Sequence, residues 1–356
     1  MNKIGKIAYK KINRISPSQF YSMKNCAYKS LLAEAFDKQP LLPVSPNAYF
    51  GTVLHKILEL ISKGVIKDEV DFNTSFEEHL KLEETKLIQQ GYDFFVPLQK
   101  NVKDFGMKKI LLKKHLRSPA EKRKVPSGVN FYSEHWFESK DKLISGKIDL
   151  VIESDKIIEI IDFKTGEITQ DVLDDSGEIF SEIKDEYKDQ LKLYAYLYFE
   201  TTGKFPTLLS LIDLAKQKFT IAFSQSDCNI LSTKAKELLE ATNKSISNGL
   251  FEAHPSVANC KYCLYRPACS FFQEYLAIDY SFNDVTGSVK DIVKYQNGNV
   301  SLFLENGDKI FIITSFASKI YDELNKYRNK HISVFNLRKE ATDFVYSAIK
   351  TTMIYE

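Results

Sequence analysis

The chain has 356 residues, of which 44% are apolar and 27% are charged, and its formal net charge is +2. This length suffices for one large and one small domain, while the small net charge excludes a protein that binds nucleic acid through overall basicity. No apolar run approaches a membrane span and the basic segment at residues 1–11 lacks a signal-peptide core, so we expect a cytoplasmic protein without a membrane partner.

The amino-terminal third of the chain is predicted to be helical. Ser16 is a candidate helix cap and Pro17 suits the first turn that follows it. Because a single histidine on an amphipathic helix is usually not a ligand, His55 in the second pattern needs independent support. The helical patterns cover Pro17 to Phe36, Ala48 to Lys63, Phe76 to Gln90 and Leu98 to Leu116.

Strands are predicted next, from Asn130 to Lys164, and two of them form a hairpin with acidic residues. The first of the pair contains Gly146 and Asp149, and the second ends with Asp162, Phe163 and Lys164. A hairpin of this kind brings Asp149 and Asp162 together and points Lys164 to the same face as Asp162. Two carboxylates and an ammonium at one sheet edge suit a divalent cation and an activated water.

A polar and acidic stretch follows, from Gly166 to Glu182, which we interpret as a loop beside this site. The next helical pattern, Tyr187 to Phe199, contains Gln190 and Tyr194, which lie four residues apart and therefore on one helix face. The remaining elements before the cysteines are predicted as strands Leu208 to Leu214 and Lys218 to Phe223 and a helix Thr233 to Asn248.

The order Gly-x-x-Asp, Asp-x-Lys and Gln-x-x-x-Tyr resembles the motif set of the RecB-like branch of the PD-(D/E)XK nucleases. The resemblance implies an α/β restriction-endonuclease-like core, a mixed sheet flanked by helices. It implies that His55, Asp149, Asp162 and a main-chain carbonyl near Phe163 bind Mg²⁺ or Mn²⁺. The further site residues it implies are Lys164, Gln190, Tyr194 and Glu134, the last on the first core strand.

Basic residues cluster between the helices and the first strand. Such runs are more often solvated faces than binding surfaces, but beside a nuclease site they would meet phosphates and make binding salt-dependent. The runs are Lys108-Lys109, Lys113-Lys114-His115, Arg117 and Lys122-Arg123-Lys124.

Three of the five cysteines, Cys260, Cys263 and Cys269, form a C-x2-C-x5-C pattern that is typical of a metal loop. Disulfides are not expected in a cytosolic protein. We expect Cys26 to be the fourth ligand, while Cys228 lies alone and is interpreted as a buried or idle thiol. Four thiolates could hold either zinc or an iron–sulfur cluster.

The segment Ser16 to Tyr21 that leads into Cys26 is similar to the amino-terminal cysteine segment of AddB-type and CRISPR-adaptation nucleases. The resemblance implies a [4Fe–4S] cluster, which one amino-terminal and three carboxy-terminal cysteines hold. Zinc remains the less favoured alternative, since zinc sites more often use two local cysteine pairs.

The sequence after residue 277 has the pattern of a small all-β module. Three strands, a helix and two strands are the order of an OB-type barrel, and Asn297-Gly298 and Asn306-Gly307 are hairpin signals. Gly287 suits a bend in the first strand. The last predicted strand runs from Phe344 to Ile354. We therefore predict a nuclease domain with its cysteine clamp at residues 1–277 and an OB-like barrel at 278–356. The alternative for the second segment is another small β-barrel or a protein-docking module.

These features together predict a metal-dependent deoxyribonuclease that acts on single-stranded DNA or DNA ends, with exonuclease action favoured. Repair, recombination and phage defence are open as its context. The sequence contains no G-x-x-x-x-G-K-[ST] motif, so any unwinding requires a helicase or another subunit as partner. The alternative is a catalytically idle nucleic-acid-binding subunit of a helicase–nuclease complex.

Overall fold

The computed structural model describes residues 2–116, 128–173 and 178–356. It divides into two compact units that are each assembled from separate stretches of sequence. The central unit consists of residues 12–24 and 45–244, and the terminal unit consists of residues 1–11, 25–44 and 245–356. This partition differs from the expected boundary after residue 277, which stays a prediction.

The central unit contains a mixed five-stranded sheet with the order β1-β2-β3-β6-β7. The strand β3 pairs antiparallel with β2 and parallel with β6, and the other neighbours are antiparallel. The strands are β1 (Asn130–Glu138), β2 (Ser145–Glu153), β3 (Ile158–Lys164), β6 (Leu208–Asp213) and β7 (Lys218–Thr220). Because every residue of β3 except its two ends is buried, this strand forms the centre of the sheet.

Helices cover both faces of this sheet. On one face, residues of β3 such as Ile161 and Phe163 pack into an apolar core with the helices that precede the sheet. On the other face lies α7 (Asp185–Thr202), which contacts β1, β2, β3 and β6. The other helices before and after the sheet strands are α1 (Pro17–Asn25), α3 (Pro46–Ser62), α4 (Glu69–Gln89), α5 (Leu98–Asn101), α6 (Phe105–Lys113) and α8 (Gln225–Asn248), whereas α2 (Ala27–Ala35) belongs to the terminal unit.

Two predicted helices are interrupted, and in each case the backbone gives the reason. The helix expected from Pro17 to Phe36 divides at Cys26, whose backbone is extended with φ −159°. The helix expected from Leu98 to Leu116 divides before Asp104, which has the left-handed φ of 57°. Hydrophobic periodicity continues across both breaks, so the pattern alone did not reveal them.

The expected loop from Gly166 to Glu182 contains an antiparallel ribbon of β4 (Thr169–Leu173) and β5 (Ile179–Ile183). The loop interpretation was therefore wrong for these two strands. Their acidic residues lowered the strand signal, but a ribbon that is exposed on its faces does not need continuous apolar alternation. Leu173 and Ile179 are exposed, as expected for a ribbon outside the main sheet.

The terminal unit contains a seven-stranded sheet that forms a half-barrel. The strands β8, β9 and β10 form an antiparallel meander, β11 pairs with β8, and β13 pairs parallel with β10. The strands are β8 (Val285–Lys294), β9 (Val300–Asn306), β10 (Lys309–Phe316), β11 (His331–Phe335), β12 (Arg338–Lys339), β13 (Val345–Ser347) and β14 (Met353–Tyr355). The helices of this region are α9 (Val257–Cys260), α10 (Ser270–Leu276) and α11 (Tyr321–Asn325).

The terminal sheet corrects two details of the sequence prediction. The single strand expected from Phe344 to Ile354 is two short strands, because a turn occupies residues 350 and 351. Gly287 is required for a close approach, since a Cβ there would lie 2.7 Å from the main-chain oxygen of Glu305 on β9. Within the described residues, no helix is long and apolar enough to cross a membrane.

Candidate active site

The hairpin of β2 and β3 brings the two predicted aspartates together at the point where the strands separate. The register pairs Leu150 with Ile161, which places Asp149 and Asp162 at the next position of the two strands. At this position the backbone pairing of the two strands ends, and the backbone N–H of Phe163 donates instead to the side-chain Oδ2 of Asp149 over 2.8 Å. This local change of partner fixes Asp149 beside the end of β3.

The pKa of the Asp149 carboxyl lies well above its ordinary value. Burial is the largest cause because it disfavours the charged form, and the negative charge of Asp162 raises the pKa further. The hydrogen bond from the Phe163 amide and the charge of Lys164 act in the opposite direction. Burial and the charge of Asp162 thus outweigh this hydrogen bond and this ammonium in setting the pKa of Asp149.

Lys164 and Gln190 connect the end of β3 to α7. Lys164 Nζ lies 2.7 Å from Asp162 Oδ2 and donates to Gln190 Oε1 over 2.8 Å. The amide nitrogen of Gln190 donates to Asp162 Oδ1 over 3.1 Å. One glutamine side chain thus holds both the acid and the base of the Asp-x-Lys motif, and all three residues are largely buried.

Tyr194 lies one helical turn beyond Gln190, and its hydroxyl is 3.3 Å from the Gln190 amide nitrogen. Burial, followed by the charge of Asp162, raises the pKa of the Tyr194 hydroxyl, so it stays protonated. The ring packs onto Gly146, where a Cβ would lie 3.0 Å from Tyr194 Cε1 and 2.9 Å from Pro17 Cδ. This close approach explains why the Gly-x-x-Asp motif requires glycine.

His55 faces the site from α3. A Cβ added to Gly51, one turn earlier on the helix, would lie 3.7 Å from Oγ1 of Thr165, the residue that directly follows β3. Burial lowers the pKa of the His55 ring, while the charge of Asp162 raises it and that of Lys164 lowers it. The ring is thus neutral near pH 7, the form that binds metals.

Glu134 lies on β1 in a strained conformation. Its φ of 54° is left-handed, and the ladder skips this residue between the pairs Ser133–Leu150 and His135–Ile148. Its carboxylate forms an ion pair with Lys147 of β2 and contributes to the pKa of Asp149. Strain of this kind in a non-glycine residue is typical of functional sites.

Sequence reasoning missed Tyr187. The Lys164 ammonium lies over its ring, 4.3 Å from the centroid. Burial, followed by the charge of Glu186, raises the pKa of the Tyr187 hydroxyl to about 12. Tyr187 precedes Gln190 by three residues and therefore shares its helix face, which was the only available signal.

The donor set fits a hard divalent cation in chemistry, because it combines two buried carboxylates that repel each other with a neutral imidazole. In the described ranges, no three His, Cys, Asp or Glu side chains are grouped closely enough to hold a metal ion as they stand. Lys164 instead occupies the neighbourhood of Asp162 Oδ2. A cation bound to Asp162 Oδ2 would therefore lie beside this ammonium.

The four predicted cysteine ligands all lie in the terminal unit, and none of them forms a disulfide. Cys26 precedes α2, Cys260 ends α9, and Cys269 precedes α10. Burial, followed by interactions with Cys263, Cys26 and Cys260, raises the pKa of the Cys269 thiol to about 12. The Cys269 thiol therefore lies near the other three cysteines, and burial together with their charges opposes its deprotonation.

Hydrogen bonds from the backbone surround these thiols. Such bonds lower the pKa of Cys263 and Cys269 and come from Tyr265 and Phe272, respectively. Backbone donors of this kind stabilise metal-bound thiolates. Cys228 is elsewhere, buried in the central unit on α8, and burial raises the pKa of its thiol to about 12.

The basic runs near the first strand are only partly described. Lys109 and Lys113 form ion pairs with Glu77 and Glu69, respectively, on α4. Two phosphate-binding candidates in these runs are thus already engaged with carboxylates. Arg117 and residues 122–124 lie outside the described residues.

Comparison with known proteins identifies the central part of the chain. The profile of the PD-(D/E)XK nuclease superfamily matches residues 14–270. The match covers all of the candidate site residues and all four cysteines of the terminal unit, and it ends before the half-barrel sheet. No curated protein matches the chain.

Two solved structures are similar at low identity. One is described as a "Putative exonuclease" from Eubacterium rectale, with 12% identity, a TM-score of 0.42, and coverage of 70% of this chain and 87% of that chain. The other, described as "Structural mimicry for functional antagonism", has 8% identity and a TM-score of 0.19, and covers 65% of this chain and 98% of that chain.

Proposed function

The chain belongs to the PD-(D/E)XK nuclease superfamily, and from this membership we propose that it is a metal-dependent deoxyribonuclease. Its proposed substrate is single-stranded DNA or a DNA end, with exonuclease action favoured over endonuclease action. The observation that carries the proposal is the network in which Gln190 holds both Asp162 and Lys164 beside Asp149.

The proposed ligands of Mg²⁺ or Mn²⁺ are His55, Asp149, Asp162 and the main-chain carbonyl near Phe163. A cation held there would polarise the scissile phosphate and lower the pKa of a bound water. Glu134 adds negative charge to this set from β1. The mutual repulsion of Asp149 and Asp162 supports the proposal, since a divalent cation relieves it.

Lys164 is proposed to orient the attacking water and to offset charge on the phosphate as the bond breaks. Its ammonium donates to Gln190 Oε1 over 2.8 Å and lies over the Tyr187 ring, so two contacts besides Asp162 hold it in position. Tyr194 is proposed to fix Gln190 rather than to move a proton, because its hydroxyl has a raised pKa.

We propose that Cys26, Cys260, Cys263 and Cys269 hold a [4Fe–4S] cluster, with zinc as the alternative. Zinc requires each thiolate at about 2.3 Å from one ion, whereas a cluster separates its ligands. The distribution of these cysteines in the sequence, one at residue 26 and three between residues 260 and 269, supports the cluster, since zinc sites more often use two local pairs.

The half-barrel sheet is proposed to be an OB-like module that contacts single strands, within a division at residues 1–277 and 278–356. Its pairings of β8 with β11 and of β10 with β13 support the OB-like order. A helicase or another subunit is proposed as partner, since no unwinding motif is present in the sequence.

The decisive experiment incubates the purified chain with 5′- and 3′-labelled single-stranded and duplex DNA, with Mg²⁺, Mn²⁺ or chelator. We expect metal-dependent shortening of single strands or ends. Lys164→Ala should retain DNA binding but lose roughly a hundredfold or more in rate, because the loss falls on the transition state. A chain that binds DNA and cuts none of these substrates would be the idle subunit instead.

A further inference from the structure

The indole of Trp136 is exposed, and none of the catalytic or metal-binding roles proposed above uses it. Trp136 is the only tryptophan in the sequence, and it is 52% exposed on β1. Tryptophan is a large apolar surface to leave in water, and exposed aromatic rings beside a binding site are common recognition elements.

Trp136 lies next to the candidate active site. It is two residues from Glu134 on the same strand, a separation of about 7 Å. Its cross-strand partner is Lys147, whose ammonium forms an ion pair with Glu134. The indole, the Lys147 ammonium and the Glu134 carboxylate are thus neighbours on β1 and β2.

Positive charge flanks the indole from two elements. The Arg14 guanidinium lies 5.8 Å from the ring centroid, within the range of a cation–π contact. Arg14 and Lys147 are each about half exposed, although each also contacts a glutamate, Glu138 and Glu134 respectively. A flat ring with cations beside it matches the alternation of bases and phosphates along an unpaired strand.

We propose that Trp136 stacks on an unpaired base of the DNA strand next to the nucleotide that is cleaved, with Arg14 and Lys147 beside the adjoining phosphates. This inference rests on the proposed nuclease function and makes it more specific. Bases inside a duplex are already stacked, so the contact selects single-stranded substrate at this position. Trp136 is a positioning residue, because it is not among the groups that would touch the reacting phosphate.

Since the chain has a single tryptophan, its fluorescence reports on this contact directly. Single-stranded oligonucleotide is titrated into the protein in chelator, so that binding is measured without cleavage. We expect the indole emission to be quenched with the same midpoint as the anisotropy change of a labelled oligonucleotide. Blunt duplex should give little quenching. Binding by anisotropy with unchanged indole emission would overturn the inference.

Substitution gives a second readout. Trp136→Ala should weaken single-strand binding by about tenfold, the effect of roughly 1.4 kcal/mol of stacking, and Trp136→Phe should restore most of it. The matched control is Ile230→Ala on α8, since Ile230 is 53% exposed in the same unit. Equal affinities in Trp136→Ala and the control would also overturn the inference.

Oligonucleotides that each carry one abasic site locate the contact. An abasic site at one position should weaken binding to the parent protein. It should have no further effect on Trp136→Ala, because that variant has already lost the stacking contact. Failure of the two proposals is distinguishable. Cleavage without any Trp136 effect removes only the stacking inference, whereas quenching without cleavage under any metal removes only the nuclease proposal.

Discussion

The carboxylates of the central unit and the thiols of the terminal unit are two groups of ionisable side chains. They differ in the neighbours that stabilise or oppose their charged forms. Asp162 has its own counter-ion, since Lys164 lies 2.7 Å away and Gln190 holds both. The thiols have neighbours of their own kind, and these raise the pKa of Cys269 together with burial. Backbone hydrogen bonds offset only part of this effect.

We therefore expect the protein to preorganise the carboxylate site, and the cysteine site to depend on the proposed cluster or zinc ion. In the carboxylate site the Gln190 side chain links Asp162 and Lys164 by hydrogen bonds, so the proposed cation should contribute to chemistry more than to folding. The cysteine site joins distant segments through groups that have little affinity for one another, so its ligand should contribute mainly to folding.

The largest expected effect is on catalysis. Asp162→Ala should reduce DNA cleavage by roughly 10³-fold or more, because it removes a buried carboxylate that is proposed to bind the cation. Its thermal midpoint should stay within a few degrees, since the substitution also removes a charge that repels Asp149. Rates from labelled single strands and a thermal melt measure both, with the exposed Asp155→Ala of the β2–β3 turn as control. Unchanged cleavage would show that this is not the active site.

The cysteine site should show the opposite balance. Cys263→Ala should lower the free energy of unfolding by about 3 kcal/mol or more beyond the cost in Cys228→Ala, because only the former loses a ligand of the proposed cluster. Cys228 is the matched control, since both side chains are buried and lose the same atom. Denaturant unfolding under anaerobic conditions, with iron and zinc analysis, measures the difference. Equal costs would mean that the thiols bind nothing that supports the fold.

A smaller effect tests how the carboxylate site is preorganised. Gln190→Ala should lower the cleavage rate by about 10- to 100-fold, because Lys164 and Asp162 lose the side chain that holds them in place. Tyr194→Phe removes only the weaker 3.3 Å contact to Gln190 and should cost less than about threefold. Single-turnover rates at saturating metal compare the two variants. Similar rates for both would mean that Gln190 holds nothing that the chemistry needs.

The motifs of the carboxylate site are short and local, so the sequence predicts that their side chains lie close together, while their roles stay a prediction. Asp149 and Asp162 approach each other through one hairpin, and Gln190 and Tyr194 share a helix face, so strand and helix periods suffice to relate them. The strain at Glu134 and the packing of Tyr194 on Gly146 were not predictable. Both depend on how separate elements meet, which periodicity does not contain.

The prediction of the fold failed where tertiary contacts override a local pattern. The break at Cys26 leaves an apolar pattern that reads as one helix, because the extended residue there is set by its surroundings. Similarly, the acidic ribbon of β4 and β5 is held by its own ladder rather than by a buried face. Local propensity is a weak prior in such segments.

A further small effect is expected at Tyr187, the residue that the motifs did not reveal. Tyr187→Leu should lower the cleavage rate by about three- to fivefold, because it removes the ring over which the Lys164 ammonium lies, 4.3 Å from the centroid. Such a cation–π contact contributes about 0.5–1 kcal/mol. Tyr187→Phe keeps the ring and should retain nearly the full rate. The comparison uses cleavage rates at saturating metal, with DNA binding measured separately in chelator. Equal losses in both variants would assign the effect to the hydroxyl, and a change in binding alone would place Tyr187 on the substrate rather than on Lys164.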